Sequence, residues 1–206
     1  TALYERMSIH ERASQLHGVR PKHLVENGKL YIEKCRKIIP YGVGHVSQFA
    51  CMQDLSPDEL RDFVKELQNY LIHETASGIP AIFHEEAITG FATTGATVIP
   101  QQIGVACTWN PELVERKSEY TREVMRSCGA TMALSPMVDV IRTQHFNRVE
   151  ASYGEDAYLA SRIALSIIKG LQTEDMRRGV ATCTKHFLGY GGGINSDEKE
   201  LMEEIM

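Results

Sequence analysis

Three groups of reactive side chains each follow a short apolar run. His84, Glu85 and Glu86 come directly after Ile82-Phe83. Asp139, then Arg142, His145, Arg148 and Glu150, come after Met132-Ala133-Leu134. Lys185, His186 and the stretch Gly189-Tyr190-Gly191-Gly192-Gly193 come after the run at 180–184. Carboxylates accept hydrogen bonds, guanidinium and ammonium groups donate them, and imidazole does either, so such a set suits a small polar ligand with many hydroxyls. Each group also has a structural reading. Glu85 and Glu86 could solvate a loop, and Arg148 could pair with Glu150, Glu155 or Asp156 near a helix start. The glycine run matches neither G-x-G-x-x-G nor a P-loop and could be only a flexible loop. A lysine directly after a buried strand is harder to explain structurally, because a buried lysine needs a partner. His84-Glu85 does not continue as H-E-x-x-H, since position 88 is Ile, which leaves a zinc protease unsupported.

These groups can meet only if the elements bearing them share a direction. The N-terminal third reads as helical. Ser8 and Glu11 form an S-x-x-E box before a helix stopping near Gly18, and residues 30–39 form another helix ended by Pro40. Residues 43–49 read as a strand. Ser56, Pro57 and Glu59 then open a strongly signalled helix, with Leu60, Phe63, Val64, Leu67, Tyr70 and Leu71 on one face and Gly78 as its stop. A buried strand is expected at 79–83. Asn110-Pro111 caps a helix to Cys128, followed by an apolar run at 130–134; residues 156–169 are helical, and a further run lies at 180–184. Asn195 or Ser196 opens a last helix, in whose first turn Asp197 reads as a helix-start charge. Strands alternating with amphipathic helices predict an α/β fold with a parallel sheet and right-handed crossovers. Ligands then meet the carboxyl ends of the strands, which is where all three polar groups fall. The alternation covers about half of the eight strands of a (β/α)8 barrel, so the expected fold class is a partial (β/α)8 TIM-type barrel with parallel strands.

Composition narrows the partner. The 206 residues are 43% hydrophobic and 24% charged, as in an ordinary globular chain. Twenty-two Lys and Arg against 27 Asp and Glu give a net charge of -5, which offers no electrostatic footprint for nucleic acid or anionic lipid. No apolar run is long enough to span a membrane. The five cysteines, widely spaced and in or beside apolar stretches, read as buried thiols of a reducing compartment rather than a disulfide or zinc framework. A cytoplasmic location is the expectation, although the chain starts at Thr1 and an upstream segment is expected to be missing.

Five ordered stretches resemble family 3 glycoside hydrolases. Gly78-Ile79-Pro80 through Glu86-Ala87-Ile88-Thr89-Gly90 is similar to the family's G-I-P…[DE]-A-x-H-G. Pro100-Gln101-Gln102-Ile103-Gly104 to Trp109-Asn110-Pro111 follows, then Leu134-Ser135-Pro136-Met137-Val138-Asp139-Val140, then Arg148-Val149-Glu150 to Tyr153-Gly154-Glu155-Asp156. Lastly, Lys185-His186-Phe187-Leu188-Gly189-Tyr190-Gly191 is similar to K-H-F-x-G-x-G. The resemblance implies the N-terminal barrel domain of a β-glucosidase- or β-xylosidase-like enzyme, with residues 1–206 as a portion truncated before the strand that bears the nucleophile. It implies that Glu86 binds distal hydroxyls of the sugar, that Arg148 binds the sugar too, and that Lys185 and His186 grip neighbouring hydroxyls.

Departures from the pattern bear on specificity. R-W-G-R appears as His145-Phe146-Asn147-Arg148, and Thr89 replaces the common His. Leu188 and Tyr190 stand where the β-N-acetylglucosaminidase branch has Pro and His, which favours a glucosidase or xylosidase. No position matches the catalytic aspartate or the acid/base, so both are expected beyond the chain end, in the missing C-terminal part of the enzyme. The implied partner is a β-linked glucoside or xyloside, with no cofactor, metal, nucleic acid or membrane. Two rivals stand beside this reading. One is a non-catalytic sugar-binding or scaffold fragment. The other is an unrelated (β/α) enzyme with Lys185 as a Schiff base, for which only His186 stands by to lower a lysine pKa. Trp109, just before a helix cap, reads as packing rather than a sugar platform.

Overall fold

The computed structural model describes residues 2–50, 55–143, 147–187 and 189–190. The helix expected from Asn195 or Ser196, Asp197 within it, and positions 145, 146, 188 and 191–193 lie outside the described residues. The chain divides into two compact units: Thr1–Glu86, Ala92–Ala96 and Val124–Met132 form one, and Ala87–Phe91, Thr97–Glu123 and Ala133–Met206 form the other.

In the first unit, α1 (Ala2–Arg6) and α2 (Ile9–Ser14) lead into a two-residue strand, β1 (Gly18–Val19), where only a helix stop is expected. The predicted capping box opens α2: the Ser8 amide donates to Glu11 Oε2 at 2.7 Å and the Glu11 amide to Ser8 Oγ at 3.2 Å. A single turn of 3-10 helix at Pro21–His23 precedes an antiparallel hairpin, β2 (Val25–Glu26) and β3 (Lys29–Leu30). Asn27 and Gly28 at its tip have φ of 50° and 77°, the left-handed pair that a two-residue hairpin turn needs. Leu30 thus belongs to a strand, and the helix expected from it begins later, as α3 (Ile32–Ile38).

β4 (His45–Ser47), α4 (Pro57–Glu74) and β5 (Ile82–Glu85) then form one strand–helix–strand unit. All six predicted inward residues of α4 are buried, and its Ser56–Glu59 box is closed in both directions. The helix ends before Gly78 because Thr75 turns extended, and its hydroxyl donates back to the Leu71 carbonyl at 2.6 Å. β5 starts three residues later than predicted. Pro80 has no amide to give a ladder, and the Gln68 side chain takes both polar groups of Ala81, at 2.8 and 3.0 Å. The strand instead runs on through His84 and Glu85. β1 pairs with β4 and β4 with β5, all parallel. The Thr131 amide donates to the Phe83 carbonyl at 2.9 Å, which sets the start of β6 (Met132–Ala133) beside β5. Val46, Phe49 and Phe83 are fully buried here, with the two phenyl rings edge to face at 5.4 Å. Gly44 is required by close approach: a Cβ there would sit 1.8 Å from the Gln15 carbonyl oxygen.

The second unit contains α5 (Gln102–Ala106), most of α6 (Pro111–Ser127), a 3-10 turn at Val149–Ala151, α7 (Ala157–Gln172) and β7 (Ala181–Thr182). Asn110 caps α6 through the Leu113 amide at 3.0 Å, and Asp156 caps α7 through the Leu159 amide at 2.6 Å. Gly170 lets the two helices close: a Cβ on it would meet the Glu115 carbonyl at 2.5 Å and Ser118 Cβ at 2.7 Å. Val114, Ile163, Ile167, Leu171 and Val180 are buried. The Cys183 amide donates to the Ala133 carbonyl at 2.9 Å, so the end of β6 lies beside β7. Trp109 does not pack as expected: it is 71% exposed, at a positive φ of 52°. Of the cysteines, Cys35 and Cys128 are buried, Cys183 partly so, and Cys107 is exposed. Among the described residues no helix is long and apolar enough to cross a membrane.

Candidate functional site

The segments leaving β6 and β7 run side by side past the strand ends. Met137 bridges Lys185 in parallel fashion; the Lys185 amide donates to the Pro136 carbonyl at 2.9 Å, and the Val138 amide to the Lys185 carbonyl at 2.7 Å. The Ser135–Pro136 and Lys185–His186 peptide bonds are cis. This ladder seats Lys185 and His186, both half-buried, against residues 136–139.

His186 is held on both sides of its ring. Nδ1 lies 2.8 Å from Asp139 Oδ2, and the His186 amide donates to the same oxygen at 3.3 Å. Nε2 lies 3.5 Å from Arg148 Nη1. Tyr190 tilts over the imidazole with ring centres 4.7 Å apart, and the Arg148 guanidinium carbon is 5.9 Å from the tyrosine ring centre. Asp139 has a side chain only 4% exposed, whereas that of His186 is 30% exposed. Three of the four predicted site residues, Arg148, Lys185 and His186, are therefore collected at one place in the second unit. The arrangement sets the Arg148 guanidinium and a His186 ring nitrogen side by side, with a tyrosine face beside them and Lys185 next in the chain, groups that suit a polyhydroxyl ring.

The fourth, Glu86, follows β5 in the first unit and is exposed. Its neighbour Glu85 is 3% exposed, with Oε1 lacking a hydrogen-bond partner among the described residues. Burial pushes the Glu85 carboxyl up to about 7, although backbone hydrogen bonds at Ala50, Glu86 and Phe49 favour its charged form. His84 is half-buried, with its ring edge-on to His45 at 5.5 Å. Burial first, and then His45, lower its pKa. From residue types alone Glu85 and Glu86 have equal claims to a loop, and only the resemblance singles out Glu86; the extra strand length separates them, one buried and one exposed. Two residues with clear geometry were not selected from sequence. Asp139 appears there as a polar residue after a strand and within one matching stretch, and Tyr190 within the glycine-rich stretch and as a departure from a related motif, neither with a role of its own. Among the described residues, no three His, Cys, Asp or Glu side chains are grouped to hold a metal ion.

Parallel strands alternating with helices, and polar side chains gathered past the strand ends, define a (β/α)-type ligand-binding fold. The chain belongs to glycosyl hydrolase family 3, whose N-terminal domain model matches residues 8–204. It is 37% identical over 145 residues to a β-xylosidase of Formosa agariphila, covering 61% of this chain and 20% of that one. It is 29% identical over 212 residues to β-glucosidase C of Emericella nidulans, covering 97% of this chain and 34% of that one. Among solved structures, a β-glucosidase of Erythrobacter marinus matches with a TM-score of 0.85 at 30% identity, over 95% of this chain and 26% of the other. The expected fold class, α/β with parallel strands as a partial (β/α)8 barrel, therefore stands. The chain spans about a fifth to a third of the length of these relatives.

Proposed function

We propose that this chain is the sugar-binding portion of a retaining, exo-acting β-glucosidase or β-xylosidase. The observation that carries the reading is the seat of Lys185 and His186 against residues 136–139, with Arg148 meeting the imidazole at 3.5 Å. Such a group orients a sugar ring by several hydrogen bonds, those to charged side chains contributing about 1.5–3 kcal/mol each. Oriented binding helps distort the ring toward the oxocarbenium-like state. Glu86, the exposed carboxylate after β5, takes the role of accepting from distal hydroxyls.

The nucleophile and the acid/base lie outside these 206 residues in this reading. Retention needs two carboxyl groups about 5–5.5 Å apart beside the scissile bond. Of the carboxylates on or after the strands, Glu85, the last residue of β5, is buried and Asp139 is engaged by His186, which supports assigning the pair elsewhere. The substrate is a β-linked glucoside or xyloside, and general acid–base and covalent catalysis need no cofactor.

The test is hydrolysis of aryl β-xyloside and aryl β-glucoside by the enzyme that carries this segment. Arg148→Ala and Lys185→Ala should each lower kcat/KM by about 10- to 100-fold, the loss of one charge-assisted hydrogen bond. Unchanged kinetics in both variants refute the site assignment.

A further inference from the structure

The hydrogen bonds around His186 decide which nitrogen of its neutral ring carries the proton. Asp139 is buried, and its Oδ2 faces Nδ1 at 2.8 Å while also accepting from the His186 amide. A carboxylate only accepts, so Nδ1 is the protonated nitrogen. The other side of the ring agrees. Arg148 is donor-only, and its Nη1 lies 3.5 Å from Nε2, close enough to oppose an N–H there but at the outer limit of a hydrogen bond, so the lone pair stays open to a shorter one. Nε2 therefore presents a lone pair. A ring flip, which would put Cδ2 and Cε1 where the two nitrogens stand, is opposed by the Nδ1 bond to Asp139 that it would break and by Tyr190, whose ring lies 4.7 Å away.

We propose that Asp139 is a positioning residue that holds the Nδ1–H tautomer of His186, so that Nε2 accepts a hydrogen bond from a substrate hydroxyl. This rests on the sugar-binding reading above. It gives the site a division of labour. Arg148 and Lys185 can only donate, so a hydroxyl held by either must turn its own proton elsewhere. An acceptor at His186 Nε2 fixes that direction for one hydroxyl. Asp139 touches no substrate in this scheme; it acts through the ring, as the outer carboxylate of a carboxylate–histidine pair does.

The tautomer is read first, without any sugar. In 15N-histidine-labelled protein, the neutral ring of His186 should show a protonated Nδ1 and an unprotonated Nε2. Asp139→Asn, whose amide can donate to Nδ1, should shift population to the Nε2–H form. A wild-type ring found mainly as Nε2–H overturns the proposal, whether or not the variant folds. The second reading uses aryl β-glycosides each lacking one hydroxyl. Asp139→Asn should raise KM about tenfold with a smaller change in kcat for the parent sugar. It should add no further loss for the one analogue lacking the hydroxyl that Nε2 accepts from. Equal losses across every analogue overturn the positioning role in favour of a general structural one. A wild-type enzyme that cleaves no aryl β-glycoside sinks the glycosidase reading itself, whereas an Nε2–H ring in an enzyme that does cleave them sinks this proposal alone.

Discussion

Glu85→Gln should make the protein more stable at pH 8 and leave it nearly unchanged at pH 4. Glu85 is 3% exposed, and burial lifts its carboxyl from 4.5 to about 7. Below pH 4.5 both the folded and the unfolded chain hold the proton, and Glu85 adds no penalty. Between pH 4.5 and 7 the unfolded chain releases it first, so folding must take up a proton, and stability falls by about 1.4 kcal/mol per pH unit. Above pH 7 the folded carboxyl is charged as well, and the full penalty of about 3 kcal/mol is reached. Glutamine keeps the shape and an oxygen for the backbone at Phe49 and Ala50, but it cannot ionise. The variant should therefore gain up to about 3 kcal/mol over wild type as pH rises through this window, and the gain should then level off. Urea unfolding of both proteins at pH 4, 5, 6, 7 and 8 measures it. Comparison between the two is needed because His84 slopes the other way. Its lowered pKa means that folding sheds a proton there, so its contribution grows as pH rises. That slope is common to both proteins and cancels in the difference. Parallel curves, or a variant less stable at pH 8, would refute the burial argument.

Two further predictions concern the scaffold. Ser56→Ala should destabilise the protein by about 1 kcal/mol, read from the denaturation midpoint, since it removes the hydroxyl that accepts from the Glu59 amide and leaves only the backbone half of the box that opens α4. Gly44→Ala should cost at the upper end of about 1–3 kcal/mol or more, because its methyl group would stand 1.8 Å from the Gln15 carbonyl; thermal unfolding should fall well below that of the Ser56 variant.

What could be read from sequence was what is decided locally. The Ser8 and Ser56 boxes and the Asn110 cap involve residues three apart, so they survive any change in what surrounds the helix. The Asn27-Gly28 turn is equally local, but it is not among the expected elements, where Leu30 instead opens a helix that starts too early. β1, with two residues, is too short to carry an alternation at all. Its existence depends on β4 lying alongside.

The site divides along the same line. The residue types after each strand were visible, and their gathering past the strand ends follows from parallel topology. The pairing of Asp139 with His186 spans 47 positions and rests on a ladder between two loops that no periodicity announces. The difference between Glu85 and Glu86 turns on where β5 ends. Successive residues of a strand face opposite sides. Had the strand stopped at Phe83, both carboxylates would be loop residues with equal claims on solvent. Because Gln68 occupies the polar groups of Ala81, the strand begins at Ile82 and runs through Glu85. Phe83 and Glu85 then fall on the buried side, and Glu86 emerges exposed. A one-residue slip in the register of β5 would exchange the two acids, so its pairing with β4 decides which carboxylate is buried.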